Sequence, residues 1–189
     1  MSGAARARLF VALDLPVTVR ETLAAWGREV GGERRLRLVP MDALHVTLCF
    51  LGWRHEGQAE EIAALVLGAV HEPAAAPRLA VREAAWLPPR RPRVLAVDLA
   101  DTGGALGALQ GRVADALVAG AGFEPEKRAF RPHVTVARVP RSTRIQTREE
   151  LPQPPPVEFP GAALTLYRSR LSREGARYEA LARRDLTAR

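Results

Sequence analysis

Val11-Ala12-Leu13-Asp14-Leu15 comes back 84 residues later as Leu95-Ala96-Val97-Asp98-Leu99, and Leu44-His45-Val46-Thr47-Leu48 comes back 88 residues later as Pro132-His133-Val134-Thr135-Val136. All four runs are short, apolar and rich in β-branched residues, the mark of a buried strand. Between the members of each pair lies a stretch of helical periodicity. Val19, Leu23, Trp26 and Val30 recur on one face of a helix over 17–31, and Leu106, Leu109, Val113, Leu117 and Val118 do so over 103–119. Strand, helix, loop and strand therefore occur twice, over about 8–70 and 92–140, inside one bilobal domain spanning 1–189. The expected fold class is α+β: two pseudo-symmetric α/β lobes with antiparallel sheets facing each other across a central cleft.

The remaining segments fit around this repeat. Thr18 is placed to cap the first helix, and Gly31-Gly32 to end it. Residues 56–70 read as a further helix, broken by Pro73 and Pro77. Leu79-Ala80-Val81 reads as a strand, 88–92 and 152–156 as Pro-rich loops, and Leu164–Ser169 as another strand. Tyr178–Ala182 is compatible with strand or helix, and strand is the reading preferred here.

Composition narrows the function classes. The net charge is +7, and Lys127 is the only lysine among 28 basic residues. Arginine suits phosphate, because its planar fork makes paired hydrogen bonds to phosphate oxygens, and a positive field attracts RNA. An arginine- and alanine-rich bias also follows from a GC-rich coding sequence, so charge alone does not decide. Cys49 is the only cysteine, which excludes an intrachain disulfide and a cysteine-based zinc site. The N-terminal stretch Met1–Arg8 has no apolar run of signal-peptide length, and no run approaches a membrane span. A cytoplasmic monomer away from membranes is expected.

The chemistry lies in the repeated His-Val-Thr. Residues i and i+2 of a strand share a face, so His45 lies beside Thr47, and His133 beside Thr135. Val46 and Val134 anchor the opposite face. If the two copies face each other, each presents an imidazole and a hydroxyl to one groove. That set suits metal-free phosphodiester chemistry: one neutral imidazole takes a proton, and one imidazolium delivers another. The hydroxyls of Thr47 and Thr135 donate to non-bridging phosphate oxygens as charge builds there. Arg131, two residues before His133, is expected on the same face as a further phosphate contact. No metal and no cofactor are called for. The two copies are nearly interchangeable, so spacing alone does not say which histidine is acid and which is base.

His45-Val46-Thr47-Leu48 and His133-Val134-Thr135-Val136 resemble the paired motifs of the two-histidine (2H) phosphoesterases. Phe10–Pro16, Leu44–Gly52, Phe130–Thr135 and Leu166–Ser169 resemble, within that superfamily, the bacterial RNA 2′,3′-cyclic phosphodiesterases, also called 2′-5′ RNA ligases. The resemblance covers about residues 8–185. It implies hydrolysis of a 2′,3′-cyclic phosphate on an RNA end or cyclic nucleotide to a 2′-phosphate, a reversible 2′-5′ joining activity, and no metal. It also implies His45 as proton donor and His133 as proton acceptor.

Other residues carry weaker signals. His55 and His71 read as surface positions, and Cys49 as a plain buried thiol. Phe50 and Trp53 offer faces for a base but read first as packing. Asp14 and Asp98 read as strand-end structural residues, and Arg168 stays outside the catalytic set. Gly103-Gly104 lacks the Lys-Ser/Thr of a P-loop. Two alternatives stand beside the leading reading: an RNA-binding module without turnover, and a 2H phosphodiesterase acting on 2′-5′ oligonucleotides or a cyclic nucleotide derivative.

Overall fold

The computed structural model describes residues 5–71, 73–145, 150–172 and 175–188. Residues 1–4 of the N-terminal stretch read above lie outside them. The chain runs β1 (Arg6–Asp14), α1 (Val17–Glu33), β2 (Arg37–Leu38), β3 (His45–His55), α2 (Ala59–Gly68), β4 (Arg78–Leu87), β5 (Val94–Asp101), α3 (Ala105–Ala121), β6 (His133–Arg138), β7 (Glu158–Pro160), β8 (Ala163–Ser172) and β9 (Gly175–Asp185). Short 3-10 turns stand at Met41–Ala43 and Glu56–Gln58. The fold is α+β, and every pairing between these strands is antiparallel.

The strand order β7-β4-β5-β6-β3-β1-β8-β9 makes the repeat visible. From the β3–β6 junction outward, each half follows the same plan: a histidine strand, an aspartate strand, then two more. The two histidine strands pair at Val46 opposite Val134, both fully buried. One hydrophobic cluster runs through both halves. α1, from the first copy, packs on β6 of the second, and α3, from the second, packs on β3 and β5. The lobes thus share their helices as well as their core.

Where the structure departs from the sequence reading, the reasons are local. Gly31-Gly32 does not end α1, which continues to Glu33. A Cβ on Gly31 would stand 2.7 Å from a methyl of Leu38, so the absence of a side chain there lets Leu38 of β2 lie against the helix. Thr18 is not a cap either: Pro16 holds the N-cap position, and the Thr18 carbonyl accepts a hydrogen bond from the Thr22 hydroxyl inside the helix. The Tyr178–Ala182 segment is strand, within β9. The edge strand β7 carried no periodic signal, because only three residues pair.

Candidate active site

Both histidine strands are placed by the same backbone device. Asp14 stands opposite His45, Ala12 opposite Thr47 and Val11 opposite Cys49; in the other half Asp98 stands opposite His133, Ala96 opposite Thr135 and Leu95 opposite Ala137. Leu48 and Val136 are skipped in these registers, so each histidine strand carries a β-bulge just after its threonine. The bulge changes which side chains reach the groove. Leu48 with Cys49, and Val136 with Ala137, turn into the core together, while Phe50 and Arg138 turn out to the cleft. Strict alternation would have placed both on the core side.

The cleft has a volume of about 470 Å³ and is lined by His45, Thr47, His133 and Thr135 together. Since Val46 faces Val134 in an antiparallel pair, His45 falls beside Thr135 and Thr47 beside His133. The two imidazoles therefore sit on a diagonal, one from each strand, with a hydroxyl at each remaining corner. Arg138, Arg37 and Arg8 add guanidinium groups to the walls. β2 forms one wall by pairing with β6, and the Val39 N–H donates to the carbonyl of bulged Val136 at 2.9 Å.

Each ring is held by its Nδ1. His45 Nδ1–H donates to the Ala43 carbonyl at 2.8 Å, and His133 Nδ1–H donates to the Arg131 carbonyl, also at 2.8 Å. With Nδ1 committed as donor, the neutral tautomer presents a basic Nε2. The Thr47 hydroxyl lies 3.1 Å from His45 Nε2.

The surroundings differ. His45 stacks on Phe10 (centroids 4.9 Å apart) and meets Tyr178 edge-on at 5.3 Å. This burial pushes the His45 pKa down to about 4; the Ala43 carbonyl and Asp14 oppose the shift, and Arg138 and His133 add to it. Behind the stack, Asp14 accepts hydrogen bonds from the Thr165 hydroxyl at 2.8 Å and the Tyr167 hydroxyl at 2.9 Å. Burial, then Asp14, raises the Tyr167 pKa to about 12, so it stays a phenol and a donor.

Of the residues singled out by sequence, the structure brings His45, Thr47, His133 and Thr135 to one cleft. Arg131 is placed otherwise. Its guanidinium closes on Asp98 through two hydrogen bonds, the one from Nε at 3.0 Å, and it does not line the cleft. Its carbonyl, not its side chain, serves the site. Cys49 is buried, its sulfur 4.0 Å from the Gln110 amide, and burial pushes its thiol up to about 11. Asp101, not a phosphate, fills the N-terminus of α3: its carboxylate accepts from the Leu106 and Gly107 N–H groups at 3.0 and 2.8 Å. Among the described residues no cluster of three or more His, Cys, Asp or Glu is placed to hold a metal ion, and no helix is long and apolar enough to cross a membrane. Sequence reading missed Arg138, because no residue announces a bulge, and it missed Arg8, which shares the cleft face of β1 with Phe10 by simple alternation.

Residues 16–173 match the model of the 2′-5′ RNA ligase superfamily. The RNA 2′,3′-cyclic phosphodiesterase of Escherichia coli K12 is 30% identical, over 95% of this chain and 97% of its own length. The enzyme of the same name from Aeropyrum pernix is 33% identical over 55% of this chain and 57% of its own. In structure, E. coli LigT complexed with 3′-AMP matches with a TM-score of 0.78 at 26% identity, covering 97% of this chain and 99% of that one. TT0787 of Thermus thermophilus matches with a TM-score of 0.71 at 27% identity, covering 95% and 97%. The chain is thus an enzyme of the 2′-5′ RNA ligase superfamily, the 2H phosphoesterases.

Proposed function

We propose that the chain opens a 2′,3′-cyclic phosphate at the end of an RNA to a 2′-phosphate, by general acid–base catalysis between His45 and His133. One observation carries this reading: two imidazoles from equivalent strand positions, each tied through Nδ1 to the carbonyl two residues back, line a single cleft together with two threonine hydroxyls. The names of the relatives point to the same substrate class.

In this mechanism the phosphorus sits between the two Nε2 atoms. His133 Nε2 takes a proton from the attacking water as its oxygen bonds to phosphorus. The P–O3′ bond breaks, and His45 Nε2–H gives its proton to the departing O3′. One water is added overall, and the 2′-phosphate remains. Thr47, Thr135 and Arg138 donate to the non-bridging oxygens, where charge accumulates. His45 is neutral in the empty cleft at pH 7, and the anionic phosphate supplies the charge that raises its pKa and protonates it. With a 5′-hydroxyl in place of water, the same proton transfers join two RNA ends through a 2′-5′ linkage.

The test is hydrolysis of a nucleoside 2′,3′-cyclic phosphate by the purified chain in EDTA, with the product's phosphate located by NMR. Opening to the 2′-phosphate is expected, with loss of turnover in His45→Ala and in His133→Ala. Full activity in either variant, or a need for added metal, overturns the mechanism. Salt-sensitive RNA binding without turnover in the wild type leaves a binding module instead.

A further inference from the structure

β3 does not stop at the cleft, and neither does its chemistry. Beyond Thr47 the next side chain of this strand to line the cleft is Phe50, and Trp53 follows it along the strand. Phe50 faces Phe10 of β1, and Trp53 faces Arg8, whose guanidinium lies 4.7 Å from the centre of the Phe50 ring. Directly opposed residues of an antiparallel pair share a face, and Arg8 lines the cleft, so Trp53 stands on that same face one step farther out. His55 follows opposite Arg6, and Arg6 donates to the Trp53 carbonyl at 3.1 Å. Trp53 is 53% exposed and Phe50 43%, while the chain's other tryptophans, Trp26 and Trp86, are buried. Burying a large apolar ring is favourable, so two exposed rings in line with the cleft threonine are informative. Interleaved with two arginines, they have the composition of a platform for single-stranded nucleic acid: rings stack on bases and guanidiniums meet the phosphates between them.

We propose that Trp53, with Arg6 and Arg8, forms a second nucleotide subsite that takes the RNA residue on the 5′ side of the one carrying the cyclic phosphate. This rests on the functional reading above and deepens it: the preferred substrate is an oligonucleotide end rather than a free cyclic mononucleotide. Arg8 and Arg6 are two positions apart on β1, about 6.6 Å along a strand, a spacing that suits successive nucleotides of an extended chain. The terminal nucleoside lies in the cleft beside Phe50 and Arg8, the next base lies on Trp53, and the phosphate between them faces the arginines.

The experiment compares kcat/KM for adenosine 2′,3′-cyclic phosphate with that for a diadenosine dinucleotide ending in the same cyclic phosphate. The wild type should favour the dinucleotide by roughly tenfold, the scale of one base–aromatic stack. Trp53→Ala should abolish that preference, whereas Trp53→Phe should keep most of it. Equal kcat/KM for the two substrates in the wild type, or an undiminished preference in Trp53→Ala, overturns the subsite. If the wild type opens neither substrate, the functional reading fails, and the subsite is judged by binding alone. Salt-dependent quenching of tryptophan fluorescence by a short oligoadenylate, lost in Trp53→Phe, then upholds it; absence of quenching overturns it.

Discussion

The two halves of this molecule share a backbone and differ in what surrounds it. In each, an aspartate faces a histidine, a bulge follows the threonine, and the histidine Nδ1 binds a carbonyl two residues back. Yet His45 is packed among Phe10 and Tyr178 and held neutral by burial, whereas His133 stands by the ion pair of half-exposed Arg131 with Asp98. At the equivalent position past the bulge, one half offers the ring of Phe50 and the other the guanidinium of Arg138. Duplication thus supplies two copies of one geometry, and the side chains around each copy make the copies unlike. In the proposed mechanism the matched geometry lets both imidazoles reach a single phosphorus, and the burial of His45 keeps its ring neutral until substrate arrives.

The largest effect should come from breaking the shared part. Replacing His45 or His133 with alanine is expected to lower kcat by about 10²–10⁴-fold, the usual worth of a positioned acid or base. The double variant should be little worse than either single one, since the two act on one transition state. Multiplicative losses would mean that the halves work separately. The next effect should come from the unlike part. Arg138→Ala should cost about 10²-fold in kcat, in the range of a lost donor to developing charge. Phe50→Ala should act on KM instead, because a ring gains no strength as charge develops. Equal kcat losses from both would erase the distinction between a phosphate side and a base side.

The site's legibility in sequence follows the same division. His45, Thr47, His133 and Thr135 were readable because i, i+2 spacing is a property of any strand, and because the motif appears twice in matching surroundings. The repeat also pointed to an α+β fold of antiparallel strands, though not to the order of the strands in the sheet. Arg138 and the outward turn of Phe50 were not readable: both lie three residues past a threonine, and only the unpaired Leu48 and Val136 bring them to the cleft. Arg131 shows the converse. Its two-residue spacing from His133 pointed to the cleft, but its guanidinium pairs with Asp98, and a neighbouring carboxylate is not visible along the chain. The helix cap failed at Thr18 because Pro16 already fixes the backbone at the N-cap.

A further prediction concerns protons. The His45 ring should titrate near pH 4 in the free protein, against about 6.5 when unfolded. Between those values the unfolded chain holds the extra proton, so stability should fall as pH drops from about 6.5 to 4, by about 3 kcal/mol in all. Above that window the ring makes no pH-dependent contribution. Phosphate in the cleft should raise the His45 midpoint, and binding near pH 6 should take up protons. Calorimetry in buffers of different ionisation enthalpy would measure this, and phosphate binding with no proton uptake would break the proposed route by which His45 is charged.

The smallest effects separate the two aspartates. Asp14 is one of the groups holding His45 up against burial, so Asp14→Asn should lower the His45 midpoint further. Its carboxylate also accepts from Thr165 and Tyr167; asparagine keeps one acceptor, so the aromatic stack behind His45 should survive. Asp98→Asn removes the charge that Arg131 holds at the rim, where an exposed pair is worth about 1 kcal/mol or less. Its consequence should be mechanical: a looser Arg131 carbonyl, a less firmly oriented His133, and a kcat reduced a few-fold with the His45 titration unchanged. Imidazole ¹⁵N NMR titrations of both variants would follow each ring separately. If both substitutions moved the His45 ring by the same amount, the halves would share one electrostatic field, and the contrast between their surroundings would not hold.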